Sequence, residues 1–138
     1  MVDWNDKIMQ EFRANDGKVG GPFEGRPMLI LHCIGARTGF ERVKPLTYQD
    51  LGGGRIAIFA SKGGAPTNPD WYHNLRANPR ASVELGTETV EVDARPIEGL
   101  EREKVWSKQK IEMPGFADYE KATTRVIPVV VLERVGEE

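Results

Sequence analysis

The sequence predicts a mainly β (α+β) fold, a small antiparallel barrel with peripheral helices, on three observations. Strand-length segments that are apolar or alternate recur about six times, at 28–34, 42–48, 55–60, 81–85, 89–95 and 126–134. Short glycine turns join several of them, Gly52-Gly53-Gly54 and Gly86-Thr87 among them, which suits hairpins rather than crossovers. Helical patterns gather at the beginning, after Asn68 and before the last strand, so the regular strand-helix alternation of a doubly wound sheet is missing.

With 138 residues, 39% of them hydrophobic and 29% charged, the chain suits one soluble domain over 1–138, with an N-terminal helix in 1–16 and a barrel core in 26–134. No apolar run approaches the ~20 residues that span a bilayer. Met1-Val-Asp-Trp-Asn-Asp lacks the basic and apolar regions of a signal peptide, so the expected compartment is the cytoplasm. The single Cys33 excludes an intrachain disulfide. Between Arg26 and Arg80 eight basic residues stand against three acidic ones, whereas the rest of the chain carries 11 against 18. A basic middle between acidic ends points to an anionic ligand held by the middle section. The net acidic balance and the lack of a recognition-helix pattern argue against a nucleic-acid partner.

Taken in order, Asp3 is the expected N-cap of a helix through Ala14 that sets Trp4, Ile8 and Phe12 four apart, with Met9 beside them. That stripe packs on the domain or on a second subunit; its alternative use is to cover substrate or rest on a membrane surface. Gly17 to Pro27 form a loop whose one large apolar side chain, Phe23, anchors it to the core or covers a pocket mouth. Met28 to Ile34 barely alternates, as expected of a strand covered on both faces. His32 and Cys33 point to opposite faces of it, cannot cooperate as a nucleophilic pair, and are assigned to core packing. With His73 the only other histidine and no second cysteine, no metal site is expected.

A glycine-bounded turn from Gly35 puts Arg37 and Thr38 at a loop tip, with Arg42 and Lys44 on one face of the strand that follows. Three cations and a hydroxyl fit a phosphate or polycarboxylate, the alternative being a solvated hairpin. Pro45 interrupts the strand and implies an edge or a bulge. The three glycines at 52–54 read as a turn, since neither a lysine-serine pair nor a helix follows. Arg55 to Ala60 leads into Ser61-Lys62-Gly63-Gly64, after which Asn68-Pro69-Asp70 opens a capped aromatic helix that Asn78-Pro79 closes. Freed amides, a hydroxyl, an ammonium and a helix N-terminus thus fall together, a combination that holds anions. The segments 81–85 and 89–95 form a hairpin with Val90 and Val92 inward and Glu91 and Asp93 outward. Glu98 to Lys110 is a charged helix turning Leu100, Val105 and Trp106 to the core; Met113 to Tyr119 is irregular and apolar, leading into a short helix; Val126 to Arg134, with Pro128 near its start, is the last strand.

The runs GARTGFERVKPL from Gly35 and ASKGGAPTNPDWYHNLRANP from Ala60 closely resemble the deazaflavin-dependent nitroreductase family, and the resemblance extends from about Gly20 to Leu132. It implies an FMN-binding/pyridoxamine-phosphate-oxidase-like split β-barrel and an oxidoreductase that uses reduced coenzyme F420 as hydride donor to an electrophilic organic acceptor. By position, Arg37, Thr38, Arg42 and Lys44 resemble the cradle for the coenzyme's phosphate and oligoglutamate tail. Val43, Pro45, Leu46 and Thr47, with Phe59, Ala60, Ser61 and Lys62, resemble the walls around the deazaflavin ring. Asp70, Trp71, Tyr72 and Asn74 resemble the residues closing over the phosphate and ribityl region, with Trp71 equally readable as a core anchor. A deazaflavin gives up its hydride in a two-electron step, so the protein's task is positioning, and Ser61 and Tyr119 are the hydroxyls assigned to proton delivery or orientation. The expected acceptor contacts are Met113, Phe116, Tyr119 and Phe23. Nitroimidazole-activating members carry several tyrosines where this chain retains only Tyr119, which favours a quinone or an activated enone or lactone over a nitro compound. An FMN-dependent oxidoreductase on the same barrel and a non-catalytic F420-binding protein are the alternatives, and both a monomer and a homodimer are compatible with the sequence.

Overall fold

A computed structural model describes residues 4–21 and 24–135; the expected N-cap Asp3 and the loop residue Phe23 lie outside the described residues. The apolar run predicted at 28–34 is β1 (Met28–Ile34), flanked by β2 (Glu41–Thr47) and β5 (Arg80–Leu85). β2 and β3 (Gln49–Gly52) are one stretch of chain broken at Tyr48: its first half pairs with β1, Met28 opposite Thr47, and its second with β4 (Arg55–Phe59). With β6 (Glu88–Ile97) and β7 (Val129–Arg134) these form a seven-stranded antiparallel sheet in the order β2-β1-β5-β6-β7-β4-β3. Because the strands at its two ends are consecutive in sequence, the sheet has to curl until those ends meet at Tyr48, and β2 also touches β4. The result is a curled half-barrel. Pro45 sits on a terminal strand of the sheet, where proline is tolerated.

Strand alternation sorts the apolar residues into separate cores. Ile56 and Ile58 of β4, Val130 and Leu132 of β7, and Leu29 and Leu31 of β1 fill the barrel, joined by Trp71 and Leu75 of α2 (Asp70–Ala77). The intervening residues Ala57, Phe59, Val129 and Val131 face outward and are covered by α3 (Gly99–Glu112) and α4 (Gly115–Ala122) through Val105, Trp106 and Phe116. Met28 and Ile30, on the other face of β1, are covered by Ile8, Met9 and Phe12 of α1 (Trp4–Ala14). Strands covered on both sides are uniformly apolar, which is why β1, β4 and β7 do not alternate. No helix among the described residues is long and apolar enough to cross a membrane.

Three expectations need correction. Leu100 does not face the core but is 82% exposed, because the buried face of α3 runs through Arg102, Val105, Trp106 and Gln109, and a residue two positions before Arg102 lies about 200° around the helix from it. His32 is not packed in the core. It lies on the α1 side of β1 just beyond Phe12, where its Nε2 is 2.6 Å from Glu84 Oε2 and its Nδ1 3.3 Å from Glu41 Oε2, while Arg13 forms a two-pronged ion pair with Glu84. Cys33, on the opposite face, is buried as expected. The last strand begins at Val129 rather than Val126, which is exposed.

Candidate functional site

The β1–β2 turn is closed by Gly39 N–H donating to the Gly35 carbonyl (2.9 Å) and Gly35 N–H donating to Phe40 (2.8 Å). Gly35 has to be small: a Cβ there would lie 2.9 Å from Thr38 Oγ1 and 3.4 Å from Arg42 Nε, so its absence lets both side chains fold back over the turn. Arg42 Nη2 then reaches Thr38 Oγ1 at 3.4 Å, with Arg37 at the tip and Lys44 two residues on, on the same face. Across from the turn, α2 presents Asp70, Trp71, His73 and Asn74. Buried Asn74 ties the two sides together, accepting the Ala36 N–H at 2.9 Å while its amide reaches Cys33 Sγ at 3.8 Å. Burial pushes the Cys33 thiol up, opposed by that hydrogen bond, which favours the neutral thiol over the reactive thiolate. The groove between turn and helix measures ≈ 890 Å³ and is lined by Arg37, Thr38, Arg42, Val43 and Lys44 on one side.

Lys44, Asp70 and Trp71 also line a second groove of ≈ 350 Å³, so the two adjoin at these residues. Its walls are Pro45, Leu46 and Thr47 of β2, Phe59 at the end of β4, the turn at Ser61 and Lys62, and Phe116 and Tyr119 of α4. Trp4, Asn5 and Ile8 of α1 form the remaining side. Phe116 is fixed edge-on to Phe59 (5.6 Å) and Tyr119 (5.2 Å), and α4 is tied to α3 by Glu120, which accepts from Trp106 Nε1 (2.7 Å) and Lys110 Nζ (2.9 Å). Two adjoining grooves therefore lie side by side, one bordered by exposed cations and the other by aromatic rings.

With this geometry in view, the sequence profile of the F420H(2)-dependent quinone reductase family matches residues 4–134. The chain belongs to this family. The F420H(2)-dependent quinone reductase of Mycobacterium tuberculosis is 37% identical over 127 residues, covering 89% of this chain and 85% of the relative. A solved structure described as an F420-H2 dependent reductase is 39% identical with a TM-score of 0.71, covering 78% of this chain and 95% of that one. A Listeria innocua protein assigned as a pyridoxamine 5'-phosphate oxidase shares the fold alone, at 12% identity and a TM-score of 0.56 over 97% of this chain and 95% of its own. The family's members are oxidoreductases whose cofactor is coenzyme F420, and the fold is the split barrel.

The donor set suits the family's cofactor. Among the described residues none of Arg37, Arg42, Lys44 and Lys62 forms an ion pair with a carboxylate, which leaves four cations along the cleft for an acidic ligand. Of the other residues the sequence singled out, Ala60 is fully buried beneath the loop and lines neither groove. Tyr72, one position around α2 from Trp71, packs against the barrel core beside His73 and under Arg76. Met113 packs with Phe116 and Trp106, its sulfur taking the Gln109 amide at 3.1 Å. The start of α2 is also not capped as expected: Pro69 occupies the cap position with no side-chain bond, and Asn68 Oδ1 is instead turned to Arg125 (2.7 Å). Trp4, 60% exposed, lines the second groove, in keeping with the substrate-covering alternative for α1 rather than with packing. Sequence reading missed two neighbours of the site: Arg26 lines the second groove and was visible only within the charge asymmetry, and Arg125 gave no local signal, since its partners are 57 to 65 residues away.

Proposed function

We propose that this protein holds reduced coenzyme F420 along the two joined grooves and reduces a quinone seated against Phe116 and Tyr119. The observation that carries this reading is the change of character between two adjoining grooves, from cations without an ion pair at Arg37, Arg42 and Lys44 to the aromatic walls Phe59, Trp71, Phe116 and Tyr119. Bound at the aromatic end, the reduced deazaflavin ring supplies a hydride as a two-electron donor. Arg37 and Arg42, with planar guanidiniums suited to carboxylates, would hold the acidic tail, and Lys44, shared by both grooves, would be the compact charge for the phosphate. Ser61, a buried residue lining the second groove, and Lys62, whose ammonium lies 3.3 Å from Thr67 Oγ1, would meet the cofactor between its ring and its phosphate. Phe59, Leu46 and Ile8 keep the ring end dry, which strengthens the remaining polar contacts there.

Conversion of a quinone to a hydroquinone takes up a hydride and one proton. Tyr119 and Ser61 both line the groove, and we assign the Tyr119 hydroxyl, on the α4 wall, to the quinone oxygen, with the proton drawn from solvent at the open mouth. With one phenol and one phenyl ring on that wall, a flat, weakly polar acceptor fits better than a nitro group, whose two developing negative oxygens call for more donors; activated enones and lactones come second to quinones. The test is steady-state oxidation of the reduced cofactor by a quinone, an enone and a nitroimidazole, beside binding titrations with coenzyme F420 and FMN. Turnover of the nitroimidazole alone overturns the acceptor assignment. Equal affinity for FMN overturns the cofactor assignment, because FMN has a ring and a phosphate but no tail for Arg37 to hold.

A further inference from the structure

We propose that Arg125 is a positioning residue that sets the shape of the Ser61–Lys62 turn and locks it to α4, so that the cofactor side and the acceptor side of the cleft are held as one unit; this rests on the functional reading above. Arg125 lies in the link between α4 and β7 and touches neither groove. Its guanidinium donates from Nε to the Ala65 carbonyl (3.0 Å), from Nη1 to the Ala60 carbonyl (3.1 Å) and Asn68 Oδ1 (2.7 Å), and from Nη2 to the Ser61 carbonyl (2.8 Å). No carboxylate is among these partners. Three of the four acceptors are main-chain oxygens of a single loop, so the fork reads the shape of that loop rather than a charge.

The loop needs such a brace. Lys62, with φ +48°, is a non-glycine residue in the left-handed region, and Gly63 (φ +63°) and Gly64 (φ +84°) continue the run. A conformation of this kind persists only where its surroundings over-determine it. Within the loop the backbone closes through Gly64 N–H to Ser61 O (2.9 Å) and Ala65 N–H to Lys62 O (3.1 Å), and Arg125 adds a second donor to that Ser61 carbonyl. The far side of the turn lies against α4, where a Cβ on Gly64 would come 2.9 Å from Ala122 Cβ and 3.0 Å from the Tyr119 carbonyl. Arg125 follows Ala122 by three residues, so the same short link that ends α4 carries the group gripping the turn. By drawing away Asn68, Arg125 also leaves the first turn of α2 free of a side-chain cap.

The test uses the full chain with Arg125→Ala, Arg125→Lys and Asn68→Ala, titrated with coenzyme F420 and with a tail-less, phosphate-less deazaflavin, alongside thermal unfolding. Arg125→Ala is expected to weaken both ligands by a similar factor, about tenfold, as the loss of one or two charge-assisted hydrogen bonds would. Arg125→Lys should stay close to the alanine variant, because one ammonium keeps the charge but cannot span three carbonyls. Asn68→Ala, which removes one arm and leaves the backbone grip, should show a smaller loss in both ligands and reports on the brace if Arg125→Ala does not fold. Arg37→Ala, by contrast, should weaken only the tailed cofactor. Wild-type affinity for the tail-less ligand in folded Arg125→Ala, or full recovery by lysine, overturns the inference while leaving the functional reading intact. Failure of the wild-type protein to bind coenzyme F420 overturns that reading itself.

Discussion

Replacing Gly64 by alanine should be distinctly more harmful than the same change one residue earlier, and the difference measures how tightly the Ser61–Lys62 turn is wedged against α4. Both glycines have positive φ, +63° at Gly63 and +84° at Gly64, so each alanine carries a left-handed penalty of about 1 kcal/mol. At Gly63 a new Cβ meets nothing within 4 Å, and the penalty ends there. At Gly64 it would lie 2.9 Å from Ala122 Cβ, 3.0 Å from the Tyr119 carbonyl oxygen and 3.2 Å from Tyr119 Cα, mostly backbone that cannot swing aside. Overpacking of this kind adds about 1–3 kcal/mol, for a total near 3 kcal/mol. For a domain of 138 residues, at about 3–4 °C per kcal/mol, the midpoint should fall by about 3 °C in Gly63→Ala and about 10 °C in Gly64→Ala. Differential scanning calorimetry and urea unfolding read the stability. The KM for quinone should rise only in Gly64→Ala, because displacement of Tyr119 opens the acceptor wall. Midpoints within about 1 °C of each other would refute the packing argument.

Arg37→Ala should lower affinity for coenzyme F420 about tenfold at low ionic strength, and the gap to wild type should narrow as salt is raised, since the guanidinium is exposed; calorimetric titration at two salt concentrations checks it, and a salt-independent gap would contradict it. Tyr119→Phe keeps the ring packed on Phe116 while removing the hydroxyl, so the melting temperature should hold and kcat/KM for quinone should fall about tenfold or more; no change would move the proton role to Ser61. Arg13 first, and then His32, hold the Glu84 carboxyl below its ordinary value of 4.5, against the opposing effect of burial. A carboxyl depressed in the folded state contributes stability above its unfolded pKa and loses it as pH falls through the folded one, so the α1 anchor should weaken below about pH 4.5. Melting curves between neutral pH and pH 3 should show a shallower acid limb in Glu84→Gln, and an unchanged slope would count against this anchor.

Much of the site was legible because its signals are local. Gly35 and Gly39 bound a turn whose cations follow within a few residues, and Pro69 and Pro79 bracket α2, since proline and glycine act on the backbone where they stand. The uniform apolar run at 28–34 likewise announced a strand covered on both faces, and the placement of Arg42 and Lys44 on one face followed from a period of two. The sequence by itself thus determined most of the strands and the positive character of the cleft, but neither the break that divides β2 from β3 at Tyr48 nor the start of β7. Tertiary structure alone decided the contacts between distant segments. Arg102 and Gln109 take the buried face of α3 because the Ile127 carbonyl and Gln49 are there to bond them at 2.7 Å and 3.1 Å, which leaves Leu100 outside. Tyr48 becomes the seam of the barrel because the sheet must curl to bring its ends together. Asn68, locally a helix cap, is captured by Arg125 from 57 residues away, as His32 is by Glu84 from 52. A polar side chain takes whichever partner the fold delivers to it, and which partner that is depends on closure of the whole sheet, not on the residues beside it.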